Sequence, residues 1–145
     1  MKIIIFLSVL LSAISMASCS SSSDPAPELS EEEKQINKLA RTWGLGKVTY
    51  GDDDVTERFG DFVLTLTKEK AYNTSGNRGD YDYEPFKASG SWDFQDDNLN
   101  IVNRNDGVEM GLQVSENELI LIFNVSEENG RMAGLGNYRF DLVAQ

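Results

Sequence analysis

Residues 99–125 read LNIVNRNDGVEMGLQVSENELILIFNV, and their turns and alternation indicate the fold class. Asp106-Gly107 is a strong signal for a tight hairpin turn, and Glu116-Asn117 is a second turn signal. The segment between these turns alternates apolar and polar side chains, with four apolar residues on one face: Val108, Met110, Leu112 and Val114. An alternation with a period of two predicts strands that bury one face. The stretch therefore predicts consecutive antiparallel strands joined by tight turns.

The same pattern extends in both directions along the chain. Eight strands are predicted, near residues 43–50, 62–67, 70–74, 88–94, 99–103, 108–114, 119–125 and 137–142. No predicted helix is long enough to cross over between parallel strands, so the expected fold is an all-β antiparallel meander. Closing the meander into an eight-stranded up-and-down barrel removes both exposed edges. A two-sheet sandwich is the alternative that this spacing leaves open.

The N-terminus carries the features of an export signal. Lys2 precedes an apolar stretch over residues 3–17, and the small residues Ala17 and Ser18 come directly before Cys19. The stretch is shorter than the ~20 residues that a membrane-spanning helix needs. A cysteine at this point resembles a bacterial lipobox, which implies that residues 1–18 are cleaved and that Cys19 is acylated. The alternative is a plain secretory signal that is cut elsewhere.

A tether and one short helix are expected between Cys19 and the barrel. Residues 19–29 are rich in serine and proline, a composition that stays extended and flexible. Ser30-Glu31-Glu32-Glu33 fits a capping box, which predicts a helix that begins there and ends near Arg41. Three apolar residues on one side would pack it against the barrel domain, which spans residues 30–145: Ile36, Leu39 and Ala40.

Composition excludes several classes of function. The chain has 13 basic and 24 acidic residues, and loss of residues 1–18 removes one lysine, leaving 12 against 24, or −12. Such a charge repels nucleic acid, whose binding depends on lysine and arginine. The chain has no histidine and Cys19 is its only cysteine, so serine–histidine, cysteine–histidine and zinc sites cannot form within it. We therefore predict a protein that is not an enzyme and has no cofactor and no metal.

Four stretches resemble a known family. They are DVTERF at residues 54–59, FVLTLT at 62–67, SGSWDF at 89–94 and GLGNYRF at 134–140. In this order they resemble the lipocalin-like domain lipoproteins of the Bacteroides group, over residues 36–144. The resemblance implies a small eight-stranded barrel on the cell envelope. The glycine of the lipocalin Gly-x-Trp signature is absent, because Arg41-Thr42-Trp43 stands at that place.

Two groups of aromatic residues are candidate sites. Six rings are expected inside the barrel, where they would either line a pocket for an apolar ligand or fill the core: Trp43, Trp92, Phe94, Phe123, Tyr138 and Phe140. Three more lie on a long connection at the barrel mouth, where they would gate the barrel, contact a partner or fold back on the rim: Tyr81, Tyr83 and Phe86. Two acidic clusters, at residues 52–54 and 103–107, lack the full spacing of a calcium loop.

The function that this sequence predicts is a lipid-anchored envelope module that binds a small apolar ligand in its barrel. The alternative is a ligand-free accessory lipoprotein that docks an envelope partner through its loops and acidic surface. Ser20 follows Cys19, and a residue without an acidic side chain there favours the outer membrane. The sequence carries no signal for the side of that membrane or for an oligomeric state.

Overall fold

The computed structural model describes residues 25–80, 84–129 and 134–145. Cys19 and the mouth residues Tyr81 and Tyr83 lie outside these residues. One helix precedes nine strands in the described part of the chain: α1 Glu31–Leu39, β1 Thr42–Tyr50, β2 Asp53–Asp54, β3 Val63–Leu66, β4 Ala71–Ser75, β5 Ser89–Gln95, β6 Asn98–Arg104, β7 Glu109–Val114, β8 Glu118–Val125 and β9 Gly136–Ala144. Residues 25–30, which precede α1, are exposed and have no regular structure.

All strand pairs are antiparallel and belong to one sheet that closes on itself. Closure is made by β1 and β9, which pair from Trp43↔Ala144 to Tyr50↔Tyr138. The predicted eight-stranded up-and-down barrel is thereby confirmed, and the two-sheet sandwich is excluded. The structure has nine strand segments because β2 and β3 pair with the same edge of β1 and share one of the eight positions.

The break between β2 and β3 carries aromatic residues into the interior. Residues 55–62 leave the sheet, and the Thr56 hydroxyl accepts a hydrogen bond from the Val48 backbone N–H at 3.0 Å in place of a strand partner. Within this segment Phe59 and Phe62 are buried, with exposed fractions of 0% and 1%. The interruption of the strand therefore adds two aromatic rings to the barrel interior, carried by residues that lie outside the sheet.

Helix α1 closes one end of the barrel. The predicted capping box is confirmed: Ser30 Oγ accepts from the Glu33 N–H, and the Glu33 carboxylate accepts from the Ser30 N–H. The helix ends at Leu39, two residues before the predicted end, because the Arg41 carbonyl already accepts a sheet hydrogen bond from Leu66 N–H at 3.0 Å.

The two ends of the barrel differ in what covers them. The helix end comprises α1 and the turns at residues 67–70, 96–97 and 115–117, and the buried Trp43 indole N–H donates to the Leu39 carbonyl there at 2.9 Å. The loop end comprises the longer connections at residues 51–62, 76–88 and 126–135, together with the hairpin turn at 105–108. Among the described residues, no helix has the length and apolar character needed to cross a membrane.

Candidate functional site

The six rings predicted for the interior are all buried, with exposed fractions of 8% or less. The structure brings together only three of them as a mutual cluster. The Phe123 ring centroid lies 5.7 Å from Tyr138 and 5.8 Å from Phe140. Trp92 and Phe94 form a separate pair, with centroids 5.4 Å apart. Trp43 lies at the helix end, beneath Leu39.

Phe86, which the sequence suggests as a mouth-loop residue, lies in the centre of the core. Its exposed fraction is 1%, and its ring centroid is 5.4 Å from both Phe123 and Phe140. It is also 5.6 Å from Phe62 and 6.1 Å from Tyr72. The connection between β4 and β5 therefore contributes a ring to the barrel interior at the loop end.

Little space remains among these side chains. A cavity of about 20 Å³ lies among the buried side chains, and all of its lining residues are apolar or aromatic: Leu39, Leu64, Leu66, Tyr72, Phe86, Trp92, Val102, Met110, Leu112 and Leu121. Such a volume holds roughly one water molecule, whereas ligand pockets measure about 300–1,000 Å³. Gly90 leaves no gap, because a Cβ there would lie 2.6 Å from a Tyr72 ring atom. In the part of the chain that the structure describes, the barrel interior is packed with side chains.

A buried ion pair stands at the loop end of the core. The Arg104 guanidinium and the Asp106 carboxylate form two hydrogen bonds, from Nε to Oδ1 at 3.0 Å and from Nη2 to Oδ2 at 2.5 Å. Their side chains are 0% and 1% exposed. Arg104 Nη1 also donates to the Pro85 carbonyl at 3.0 Å. Asp106, part of the second acidic cluster, is thus held by arginine.

The same guanidinium packs against aromatic rings. Its central carbon lies 4.7 Å from the Phe86 centroid, 5.6 Å from Tyr72 and 6.0 Å from Phe123. Cation–π contacts of this kind are strongest when water is excluded. Arg104 is not among the site residues predicted from the sequence, although its position in the strand alternation is a signal for it. Arg104 lies two residues after Val102 in β6, so both side chains face the barrel interior. A buried arginine at such a position requires a partner for its charge.

Lys70 connects α1 to the barrel wall. Its ammonium lies 2.7 Å from Glu32 on the helix and 2.6 Å from Asp93 on β5. Hydrogen bonds to Asp93 and Glu32 raise the pKa of Lys70, and the bond from Lys70 lowers the pKa of Asp93. A backbone φ of 59° at Lys70 directs the turn between β3 and β4. This ion-pair network orients the helix that leads to the tether.

The first acidic cluster follows β1 at the loop end. Asp54 bonds to the Thr56 hydroxyl at 2.6 Å and forms an ion pair with Lys47 at 3.5 Å. Hydrogen bonds from Thr56, more than the charge of Lys47, lower the pKa of Asp54. In the part of the chain that the structure describes, no three acidic side chains converge in a way that could hold a metal ion.

The outer surface has its own apolar and acidic features. On the outer faces of β8 and β9, Ile122 and Val143 are 48% and 44% exposed. At the loop end, acidic side chains outnumber basic ones among the described residues.

No protein-family model, characterised protein or solved structure matches this chain.

Proposed function

We propose that the protein is a lipid-anchored, lipocalin-like accessory module of the bacterial outer membrane that acts through its outer surface. In this proposal the barrel is a rigid scaffold, and its loop end docks an envelope partner. The single observation that carries the proposal is the filled interior, closed by α1 at one end and by Phe86 and Arg104 at the other. This favours the accessory role over storage of an apolar ligand.

The cost of emptying the barrel supports this choice. Cavities in protein cores destabilise by about 24 cal/mol per Å³. A pocket at the lower limit for ligands, about 300 Å³, would thus cost roughly 7 kcal/mol before a ligand enters. Since whole domains are stable by only about 5–15 kcal/mol, a pocket of that size would consume much of the stability of the fold. A lipid-sized ligand would have to displace several strand-borne rings.

The position of the anchor supports docking through the loop end. The chain enters the barrel through α1, so the helix end is joined most directly to the tether. The eleven steps from Cys19 to Ser30 span at most about 40 Å when fully extended. β1, with nine residues, adds about 30 Å from the helix end to the loop end. An anchored molecule can therefore present its loop end at a distance from the lipid surface.

Charge at the loop end indicates the character of the partner. The described connections there carry the acidic residues Asp52, Asp53, Asp54, Glu57, Asp61, Asp80, Glu84, Glu127 and Glu128, in addition to the buried Asp106. The basic residues on the same connections are Arg58, Arg78 and Lys87. Complementary charge steers association and excludes wrong partners. We therefore expect the docking partner to present a basic surface.

Site-specific photo-crosslinking in cells tests the docking face. A photoreactive residue replaces Asp53 at the loop end or, as the matched control, Asp97 in the turn between β5 and β6 at the helix end. Both positions are exposed turn or edge aspartates. We expect a discrete cross-linked product from position 53 that is lost when Asp52 and Glu57 are neutralised to Asn and Gln. Equal products from both positions, or none from position 53, would contradict docking through the loop end.

The anchor is tested separately through Cys19. We expect labelled palmitate to be incorporated into the wild-type protein and not into Cys19→Ser, and globomycin to block removal of residues 1–18. Unchanged processing and labelling in Cys19→Ser would overturn the anchoring proposal while leaving the barrel untouched.

A further inference from the structure

We infer that the space occupied by the Phe86 ring is a binding site for an aromatic group that carries a neutral carbonyl oxygen, and that Phe86 fills this site as the chain's own ligand. This inference goes beyond the proposed docking function, and neither depends on the other. It concerns a small ligand at the loop end and not a lipid-sized one.

The origin of Phe86 in the chain is the first observation. Phe123 and Phe140 belong to β8 and β9, whereas Phe86 lies between β4 and β5, three residues before β5 begins at Ser89. The barrel strands alone therefore leave a ring-sized space near the loop end. A ring supplied by a connecting segment can withdraw without breaking a strand pair.

The polar group that borders this space is the second observation. Arg104 is buried, and two of its three hydrogen bonds go to Asp106. The third goes to the Pro85 carbonyl, directly before the ring that the guanidinium contacts at 4.7 Å. Pro85 and Phe86 thus present one acceptor oxygen and one aromatic face to the same cation, as a bound ligand would.

The chemistry of the site defines the ligand class. Asp106 already pairs with Arg104, so a second carboxylate would compete with Asp106 for the same cation, and a neutral carbonyl is favoured. An aromatic ring is favoured over an aliphatic group because it keeps the cation–π contact and the edge-on contacts with Phe123 and Phe140. The adjacent cavity of about 20 Å³, which Phe86 also lines, leaves room for a small substituent.

The test uses N-acetyl-L-phenylalanine amide, whose acetyl carbonyl and ring correspond to Pro85 and Phe86. Binding is measured by saturation-transfer NMR and titration on the full mature chain, carrying Cys19→Ser so that no detergent is needed. We expect weak but measurable binding to this chain. Phe86→Ala should bind at least about tenfold tighter, because the competing ring is gone. N-acetyl-L-leucine amide, which lacks the ring, should bind neither form.

Phe94→Ala is the matched control, since it removes a buried ring that packs against Trp92 and pairs across β5 and β6 with Val102. It should gain no affinity for the probe. If Phe86→Ala does not fold, Phe86→Leu replaces it and is also expected to bind tighter than the chain with Phe86 intact. No binding to the chain with intact Phe86 at the solubility limit, equal binding of the leucine amide, or equal gains in Phe94→Ala would each overturn the inference.

Discussion

The Arg104 guanidinium lies 4.7 Å from the Phe86 ring centroid and donates a hydrogen bond to the carbonyl of Pro85, the residue before Phe86. This arrangement ties a connecting segment to the barrel wall. It places the only described arginine that is fully buried beside a ring that contacts four other aromatic rings of the core. Closure of the loop end and filling of the interior therefore have one structural cause.

Phe86→Ala should lower the free energy of unfolding by about 3–5 kcal/mol, the usual loss for a fully buried phenylalanine. The ring contacts four other aromatic rings, which cannot all move inward to fill the space. Urea unfolding monitored by circular dichroism measures the loss. Leu29→Ala, at an exposed position before α1, is the control and should change stability by less than about 0.5 kcal/mol. A loss below about 1 kcal/mol for Phe86→Ala would show that the ring is not part of the packed core.

Arg104→Met should be more harmful than the double variant Arg104→Met/Asp106→Asn. The single change removes the arginine that pairs with the buried Asp106 carboxylate, and breaking a buried pair in this way typically costs about 3–5 kcal/mol. The double change removes both charges and keeps a residue suited to the hairpin turn, so much of that loss should be recovered. A double-mutant cycle from urea unfolding measures the coupling. If the two substitutions have additive effects on the free energy of unfolding, the Arg104–Asp106 ion pair is contradicted.

Asp93→Asn should lower stability by about 0.5 kcal/mol at pH 7, the scale of a solvent-exposed ion pair. Because the folded-state pKa of Asp93 is lowered, its contribution is complete above the unfolded value of about 3.8 and is lost as the pH falls through the folded pKa. The difference between wild type and variant should therefore be present at pH 7 and shrink below pH 3.8. Urea unfolding curves from pH 7 to below pH 3.8 measure this difference in stability, and a difference that grows as the pH falls would contradict the lowered pKa of Asp93.

Gly90→Ala should destabilise by about 1–3 kcal/mol, as for overpacking in a core. Its Cβ would lie 2.5 Å from Asn105 Oδ1 and 2.6 Å from Tyr72 Cε1, and the Tyr72 ring is buried and confined. Gly44→Ala is the matched control on another strand. The three atoms nearest to its Cβ would all belong to the side chain of Gln145, which is exposed at the C-terminus and can move away. Thermal unfolding of both variants measures the difference, and equal losses of stability would contradict the close packing of Gly90 against Tyr72.

The sequence predicts the barrel well because strand alternation and turn chemistry are local signals. Asp106-Gly107 marks a hairpin, Ser30 and Glu33 mark the helix start, and the structure contains both. The nine strand segments include one that the sequence does not predict, β2 at Asp53–Asp54, which pairs with β1 before the chain leaves the sheet at Val55.

The contents of the interior are less predictable, since they depend on residues that are distant in sequence. Phe86 lies in a stretch with the composition of a loop, so alternation cannot place it among Phe123 and Phe140. Arg104 does occupy an inward position of β6, but its partner Asp106 is also explained by the turn signal. Only the folded chain shows that the turn carboxylate faces inward.

We propose that the packed barrel interior excludes a lipid-sized ligand. This is measured by native mass spectrometry of the mature protein, purified gently from its source cells and then offered a fluorescent fatty acid. We expect the mass of the mature chain with its proposed Cys19 lipid alone, and no uptake of the fatty acid. A stoichiometric extra mass of a few hundred daltons that leaves on mild denaturation, or saturable uptake of the fatty acid, would contradict it.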